Sequence, residues 1–202
     1  MSWGFGATVV GVKARDGVVL ATDRRLSYGG FVMSRNARKI YVLKDRIGVA
    51  IAGLYGDISG LARILDAEVK YYELTSGTRL TVKGVAKRLS SILYAYKPFP
   101  FYVEAIIGGI DDGEPRIYVL DSLGSITEED YAASGSGATM ALGVLESLYR
   151  EGLSLEEAED LALKAVKSAI ERDAMSGDGI DIVVIGKGGV RERRVTLRMV
   201  EG

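Results

Sequence analysis

The side chains that could carry chemistry in this chain are those of Ser, Thr, Lys, Asp, Glu and Tyr. The 202-residue sequence contains no His and no Cys. These absences exclude disulfide bonds, zinc sites built from Cys or His, cysteine nucleophiles, and any catalytic triad that uses histidine as its base. Lysine is then the natural proton acceptor for any acid–base chemistry in this chain.

A basic cluster, Arg35, Arg38 and Lys39, precedes a predicted strand. Charged side chains usually stay in solvent, so the plain interpretation is exposed surface. The alternative is that Lys39 points inward and that burial or cationic neighbours lower its pKa. Asp23 ends an earlier predicted strand, where it can either pair locally or hold a buried lysine ammonium. The residues alone leave both questions open.

Two polar loops are further candidates. Ser134-Gly135-Ser136-Gly137 opens a predicted helix, where backbone N–H groups can bind an anion, but it lacks the spacing of a phosphate loop. Its plain interpretation is a tight turn with Ser136 as the helix N-cap. The loop with Asp173 and Ser176 fails the spacing of a calcium loop, so it fits either a polar helix end or an Asp–Ser pair beside a reaction centre. We therefore predict no metal site and no cofactor.

Strands and helices alternate in blocks along the chain. The predicted strands are 8–14, 18–22, 39–43, 47–52, 102–108, 116–120, 131–133, 180–185 and 195–199. Helical spacing of apolar residues predicts helices over 58–72, 82–93, 138–150 and 154–171. Ser154 and Glu157 form a capping box at the start of the last helix. Turns such as Asp111-Asp112-Gly113 join neighbouring strands as hairpins. This order predicts an α+β fold, a layered sandwich of largely antiparallel sheets covered by helices.

Composition limits the partners and the compartment. The chain has 26 Lys and Arg against 27 Asp and Glu, so its formal net charge is −1. That balance gives no electrostatic reason to bind nucleic acid or an anionic membrane. We also find no apolar segment long enough to span a bilayer and no signal peptide, so we expect a cytoplasmic protein. The sequence has no Gln and a single Asn, Asn36, which together with abundant charge is typical of a thermophile.

Segments spread over nearly the whole chain resemble, in order and spacing, the β subunits of the proteasome. The matching segments are 7–11, 16–25, 51–57, 108–111, 131–137 and 171–181. Each motif alone is modest, and the resemblance rests on finding them all in register. Residues 1–6 are similar to an archaeal β-subunit propeptide, and residues 25–30 resemble one of the two β types of crenarchaea. A different N-terminal-nucleophile hydrolase, such as an amidase or the bacterial two-ring protease, is the alternative.

The resemblance implies a fold, an activity and an assembly. The fold is the four-layer αββα sandwich of N-terminal-nucleophile hydrolases, formed here by a single domain, 7–202, after a leader, 1–6. Seven β subunits form a ring, two such rings stack, and rings of α subunits cap them. A regulatory ATPase ring feeds unfolded polypeptides to the chamber. In active subunits, removal of the leader exposes a threonine whose hydroxyl attacks the peptide bond.

The resemblance also implies roles for individual residues. Asp23 would hold Lys39, and Lys39 would lower the pKa of the nucleophile. The polar group around the threonine amine would be Ser136, Asp173 and Ser176. The backbone N–H of Gly53 would donate to the oxyanion. The pocket for the side chain before the cut would be lined by Leu26, Ala37, Ile51 and Tyr55. Its apolar lining favours cleavage after large hydrophobic residues.

The nucleophile position departs from the family pattern. Counting back from Asp23 places it at Ala7, directly after Gly6, which matches the residue expected before the cut. A methyl group cannot attack a carbonyl, so we predict an unprocessed and inactive chain. Three explanations stay open: a natural non-catalytic paralogue beside a catalytic sister β subunit, a deliberate threonine-to-alanine change, or Thr8 as the nucleophile. Neighbouring strand residues face opposite sides, so Thr8 would point away from Lys39.

Overall fold

The computed structural model describes residues 6–196. Most of the predicted leader and the end of the predicted strand 195–199 therefore lie outside the described residues. The described strands are β1 (Thr8–Ala14), β2 (Gly17–Asp23), β3 (Leu26–Tyr28), β4 (Phe31–Ser34), β5 (Ile40–Leu43), β6 (Ile47–Gly53), β7 (Val103–Asp111), β8 (Glu114–Leu120), β9 (Ile126–Glu128), β10 (Tyr131–Gly135), β11 (Ile180–Gly186) and β12 (Gly189–Val195). The described helices are α1 (Tyr55–Ser76), α2 (Val82–Ala95), α3 (Ala138–Leu148) and α4 (Leu155–Arg172).

Two five-stranded antiparallel sheets form the centre of the fold. The first has the strand order β10-β1-β2-β11-β12, and the second has the order β5-β6-β7-β8-β9. A small β3-β4 hairpin stands apart from both sheets. Strand β1 lies between β2 and β10, so the start of the described chain is held in the interior of a sheet.

Apolar residues lie on both faces of each central strand because each sheet is covered on both sides. In β1, Val10 and Val12 pack against α3 and α4, whereas Val9 packs between the sheets. In the second sheet, Val49 and Ile107 pack against α1 and α2. The layers are therefore α1/α2, sheet, sheet and α3/α4, which confirms the predicted αββα sandwich.

Local signals set the ends of the helices. Ser154 accepts a hydrogen bond from the backbone of Glu157, whose carboxylate accepts from the backbone of Ser154, so the predicted capping box is present. Helix α1 ends at Gly77, whose φ of 68° lies in the left-handed region that glycine tolerates best. No helix within residues 6–196 is long and apolar enough to cross a membrane.

The last hairpin was wrongly predicted at its second strand. The prediction began that strand at Val195, but β12 begins at Gly189 and ends at Val195, paired in register with β11. The error arose because β12 is an edge strand of mostly exposed residues, which hides the apolar pattern of a strand. Its Arg191 and Arg193 form ion pairs with Glu159 of α4 instead. The short strands β3, β4 and β9 were also missed.

Candidate active site

Asp23, the last residue of β2, is the centre of a buried polar cluster. Its side chain has no solvent exposure and accepts four hydrogen bonds. One carboxylate oxygen accepts from the Lys39 ammonium at 2.8 Å and from the backbone N–H of Thr8 at 2.9 Å. The other accepts from the backbone N–H groups of Arg25 and Gly177, at 2.9 and 3.0 Å. Asp23 thus connects the end of β2 with the start of β1, the residue before β5 and the loop that follows α4.

Lys39 immediately precedes β5 and is 1% exposed. The inward orientation, one of the two alternatives left open by the sequence, is therefore the observed one. Burial lowers the pKa of the Lys39 ammonium, while the negative charge and hydrogen bond of Asp23 oppose that effect. An amine in this environment gives up its proton more readily than an exposed lysine, which is the direction that a proton acceptor needs.

A chain of hydroxyl groups reaches a second carboxylate. Ser176 donates to Asp173 at 2.7 Å, so the 2.8 Å contact between Thr8 Oγ1 and Ser176 Oγ has Thr8 as its donor. Ser136 also donates to Asp173, and its oxygen lies 3.4 Å from the carbonyl oxygen of Ala7. Gly137, not Ser136, is the N-cap residue of α3, so the plain interpretation of Ser136 as a helix cap was wrong.

The loop that carries Asp173 and Ser176 is clamped onto the end of β2. The Arg25 guanidinium donates to Asp178 at 2.8 Å and to the carbonyl of Ala174 at 2.9 Å. The backbone of Arg24 donates to the carbonyl of Gly177 at 3.0 Å. These bonds fix the loop, and with it the hydroxyl of Ser176, relative to Asp23. Arg25 was not among the site residues predicted from the sequence, although it directly follows Asp23-Arg24 in a matching segment.

Ala7 lies at the edge of this cluster, beside a cavity of about 290 Å³. The residue is fully buried. The cavity is lined by Ala7, Ala52, Gly53, Leu54, Tyr102, Val103, Glu104, Ser122, Gly135 and Ser136. A Cβ on Gly135 would stand 2.0 Å from the carbonyl oxygen of Ala7, so only glycine allows the end of β10 to approach the residue before β1 this closely.

Gly6 also fits its place tightly. A Cβ at this position would stand 2.0 Å from Cβ of Met175 and 2.6 Å from the hydroxyl oxygen of Ser136. The residue before the predicted cut is therefore enclosed by the same two loops that carry the hydroxyl chain. Among residues 6–196, no three acidic side chains gather in a group that could hold a metal ion.

The four residues predicted to line a specificity pocket do not line the cavity beside Ala7. Ala37 and Ile51 are buried, whereas Leu26 and Tyr55 are partly exposed. Their role in specificity stays a prediction. Glu104, which does line the cavity, was not among the site residues predicted from the sequence. The available signal was that Glu104 is a charged residue in the otherwise apolar first half of β7.

Two helix layers around two antiparallel sheets, with a polar cluster at the start of the first strand, define the fold class of N-terminal-nucleophile hydrolases. The chain belongs to the proteasome subunit family, whose model matches residues 5–185.

The relatives named "Proteasome subunit beta 1" cover most of this chain. The protein of Ignicoccus hospitalis is 53% identical over 186 residues, which are 92% of this chain and 93% of the relative. That of Hyperthermus butylicus is 50% identical over 91% of this chain and 90% of the relative. That of Desulfurococcus amylolyticus is 50% identical over 95% of both. The chain is therefore a proteasome β subunit of archaeal type, which confirms the resemblance drawn from the sequence.

Proposed function

We propose that this chain, with alanine at position 7, is a non-catalytic β subunit that keeps its leader. The observation that carries the proposal is the position of Ala7, whose carbonyl lies near Ser136 and which lines the cavity together with Gly53. This is the place that the family resemblance gives to the nucleophilic threonine. A methyl group has no lone pair with which to attack a carbonyl, so neither self-cleavage nor hydrolysis can start there.

Thr8 is the alternative nucleophile, and its surroundings argue against it. Its hydroxyl donates to Ser176 and is therefore already engaged in a hydrogen bond. A Cβ on Gly137 would stand 2.1 Å from Thr8 Oγ1, so the hydroxyl faces the start of α3. Ala7, which directly precedes β1, lines the cavity instead. A substrate carbonyl in that cavity would therefore meet residue 7 and not residue 8.

With a threonine at position 7, the surrounding groups suit peptide-bond hydrolysis. Lys39 would take the proton of the threonine hydroxyl, and Asp23 would hold the resulting ammonium. Ser136, Asp173 and Ser176 would hydrogen-bond the threonine amine freed by leader removal. The oxyanion would form beside Gly53, whose backbone N–H would stabilise it. These groups remain in the chain although the nucleophile does not.

The family membership also supports a place in the 20S core, assembled with α subunits. We propose seven-membered rings, a catalytic sister β subunit that supplies the activity, unfolded polypeptides as substrate, a regulatory ATPase ring as the source of substrate, and a cytoplasmic location. A non-catalytic β chain in such a particle would complete the ring and shape the chamber wall.

The test is the intact mass of the chain after assembly with its α partner, for the native chain and for Ala7→Thr. We expect the native chain to keep residues 1–6 and the variant to lose them and cleave a fluorogenic peptide. The control is Thr8→Ala in the native background, which should still keep residues 1–6. Loss of residues 1–7 from the native chain, abolished by Thr8→Ala, would overturn the proposal and make Thr8 the nucleophile.

A further inference from the structure

The cavity beside Ala7 contains a carboxylate that the proposed hydrolysis does not use. Glu104 is the second residue of β7 and lines the cavity. One of its oxygens accepts a hydrogen bond from the backbone N–H of Gly135 at 2.9 Å. Gly135 directly precedes Ser136, so this bond fixes the Glu104 carboxylate relative to the polar cluster.

The charge of Glu104 is not neutralised within the described part of the chain. The ion pairs found between residues 6 and 196 do not include it. Among the described residues, the cavity lining holds no lysine and no arginine, and its other polar side chains are the hydroxyls of Tyr102, Ser122 and Ser136. The Glu104 side chain is exposed, so this lone negative charge among otherwise neutral groups attracts a cation through an interaction that solvent partly screens.

The walls of the cavity specify the shape of that cation. Ala7, Ala52, Leu54 and Val103 supply aliphatic surface, and the volume of about 290 Å³ lies at the lower end of small-molecule pockets, about 300 Å³. An alkyl stem would lie along the aliphatic wall while a terminal charge reaches Glu104. Lysine and arginine side chains have this combination of an apolar stem and a cationic end.

We propose that this cavity binds a basic side chain, lysine or arginine, of a polypeptide that lies across the site, and that Glu104 selects it. That the side chain belongs to a polypeptide is an assumption that rests on the proposed function. Binding of the cationic side chain to the cavity requires no reactive group at position 7. We therefore expect the native chain to bind a small cation in this cavity. We expect the Ala7→Thr variant to prefer certain peptide sequences for cleavage.

The first experiment measures binding without catalysis. The full-length native chain is titrated with n-butylammonium, a lysine side-chain analogue, while methyl NMR signals of Ala7 and Ala52 are followed. We expect saturable shifts of both signals that 1-butanol, a neutral analogue of the same length, does not reproduce. Glu104→Gln should weaken the binding by up to about fivefold, in keeping with an exposed ion pair. Gln can still accept the hydrogen bond from Gly135, so the variant removes charge and not the contact.

A matched control is Glu114→Gln, at the exposed start of β8 on the same sheet, which should leave the titration unchanged. Added salt should also weaken the binding to the native chain, since it screens the charge. Equal shifts with n-butylammonium and 1-butanol, or equal binding by the native chain and Glu104→Gln, would overturn the proposal.

The second experiment identifies the polypeptide. Ala7→Thr particles digest a peptide mixture, and the cut positions are read by mass spectrometry. We expect lysine and arginine to be enriched at one fixed position relative to the cut, and Glu104→Gln to remove that enrichment. An unchanged profile in Glu104→Gln would refute selection by Glu104. If Ala7→Thr particles cut nothing, the proposed function fails, and the titration alone decides whether the cavity binds the cation.

Discussion

Removal of the Lys39 ammonium should destabilise the fold by more than any surface charge change. The substitution Lys39→Met keeps an unbranched apolar stem but leaves Asp23 as a buried, uncompensated carboxylate. Breaking a buried ion pair at one partner costs about 3–5 kcal/mol. Three backbone N–H groups still donate to Asp23, so we expect a value near the lower end, about 3 kcal/mol. For a chain of this size, that loss lowers Tm by roughly 6–12 °C.

Asp23→Asn should cost more than Lys39→Met. Asn carries one acceptor oxygen in place of two, and its NH₂ group would face N–H donors that now bond to the carboxylate. The same change leaves the Lys39 ammonium buried without a counter-charge. We expect a loss of about 4–5 kcal/mol, the upper end for a broken buried pair.

The assay is equilibrium unfolding of the isolated chain in guanidinium chloride, followed by far-ultraviolet circular dichroism. The control is Lys70→Met, which breaks an exposed Lys–Asp pair of nearly equal length, 2.6 Å, on the surface of α1. That change should cost no more than about 0.5 kcal/mol. A loss below about 1 kcal/mol for Lys39→Met, or a larger loss for Lys39→Met than for Asp23→Asn, would refute the role given to Asp23.

Two further predictions concern the walls of the cavity. Gly135→Ala should cost about 3 kcal/mol or more, because Gly135 has a φ of 94° and a Cβ would overlap the carbonyl of Ala7. Gly143→Ala, in open space on α3, should instead stabilise by up to about 1 kcal/mol in the same unfolding assay. Hydrogen bonds from the side chain and backbone of Ser125 lower the pKa of Asp121, which precedes Ser122 of the cavity. A lowered folded pKa contributes stability above the unfolded value, about 3.9, that is lost as the pH falls through the folded pKa. The destabilisation by Asp121→Asn should therefore be larger at pH 7 than at pH 3, and an equal loss at both would contradict this assignment.

The sequence predicted the layers because each layer has its own periodicity. Helical spacing identified all four helices found within residues 6–196, although α1 begins at Tyr55 and not at the predicted 58. Strands buried on both faces, such as β6, are continuous apolar runs that stand out from their neighbours. The bounds of β12 were not predicted correctly because its side chains form ion pairs and show no apolar pattern.

The site was harder to predict because its members are far apart in sequence. The plain interpretation was exposed surface for Lys39 and local pairing for Asp23, and only the family resemblance placed the two residues together. The structure brings Asp23, Lys39, Ser136, Asp173 and Ser176 into one cluster around Ala7 and Thr8. Glu104 could not be found in this way, since no motif includes it and its partner is a backbone N–H group.

The four bonds to Asp23 also set an order of events during synthesis. Gly177 lies 154 residues after Asp23, and Ser176 lies 168 residues after Thr8. Contacts of this separation form late, because the chain must first close a loop of that length. A nascent chain on the ribosome therefore lacks this cluster until residues near 177 have emerged. In a subunit with a reactive residue 7, leader cleavage would wait until nearly the whole chain had been made.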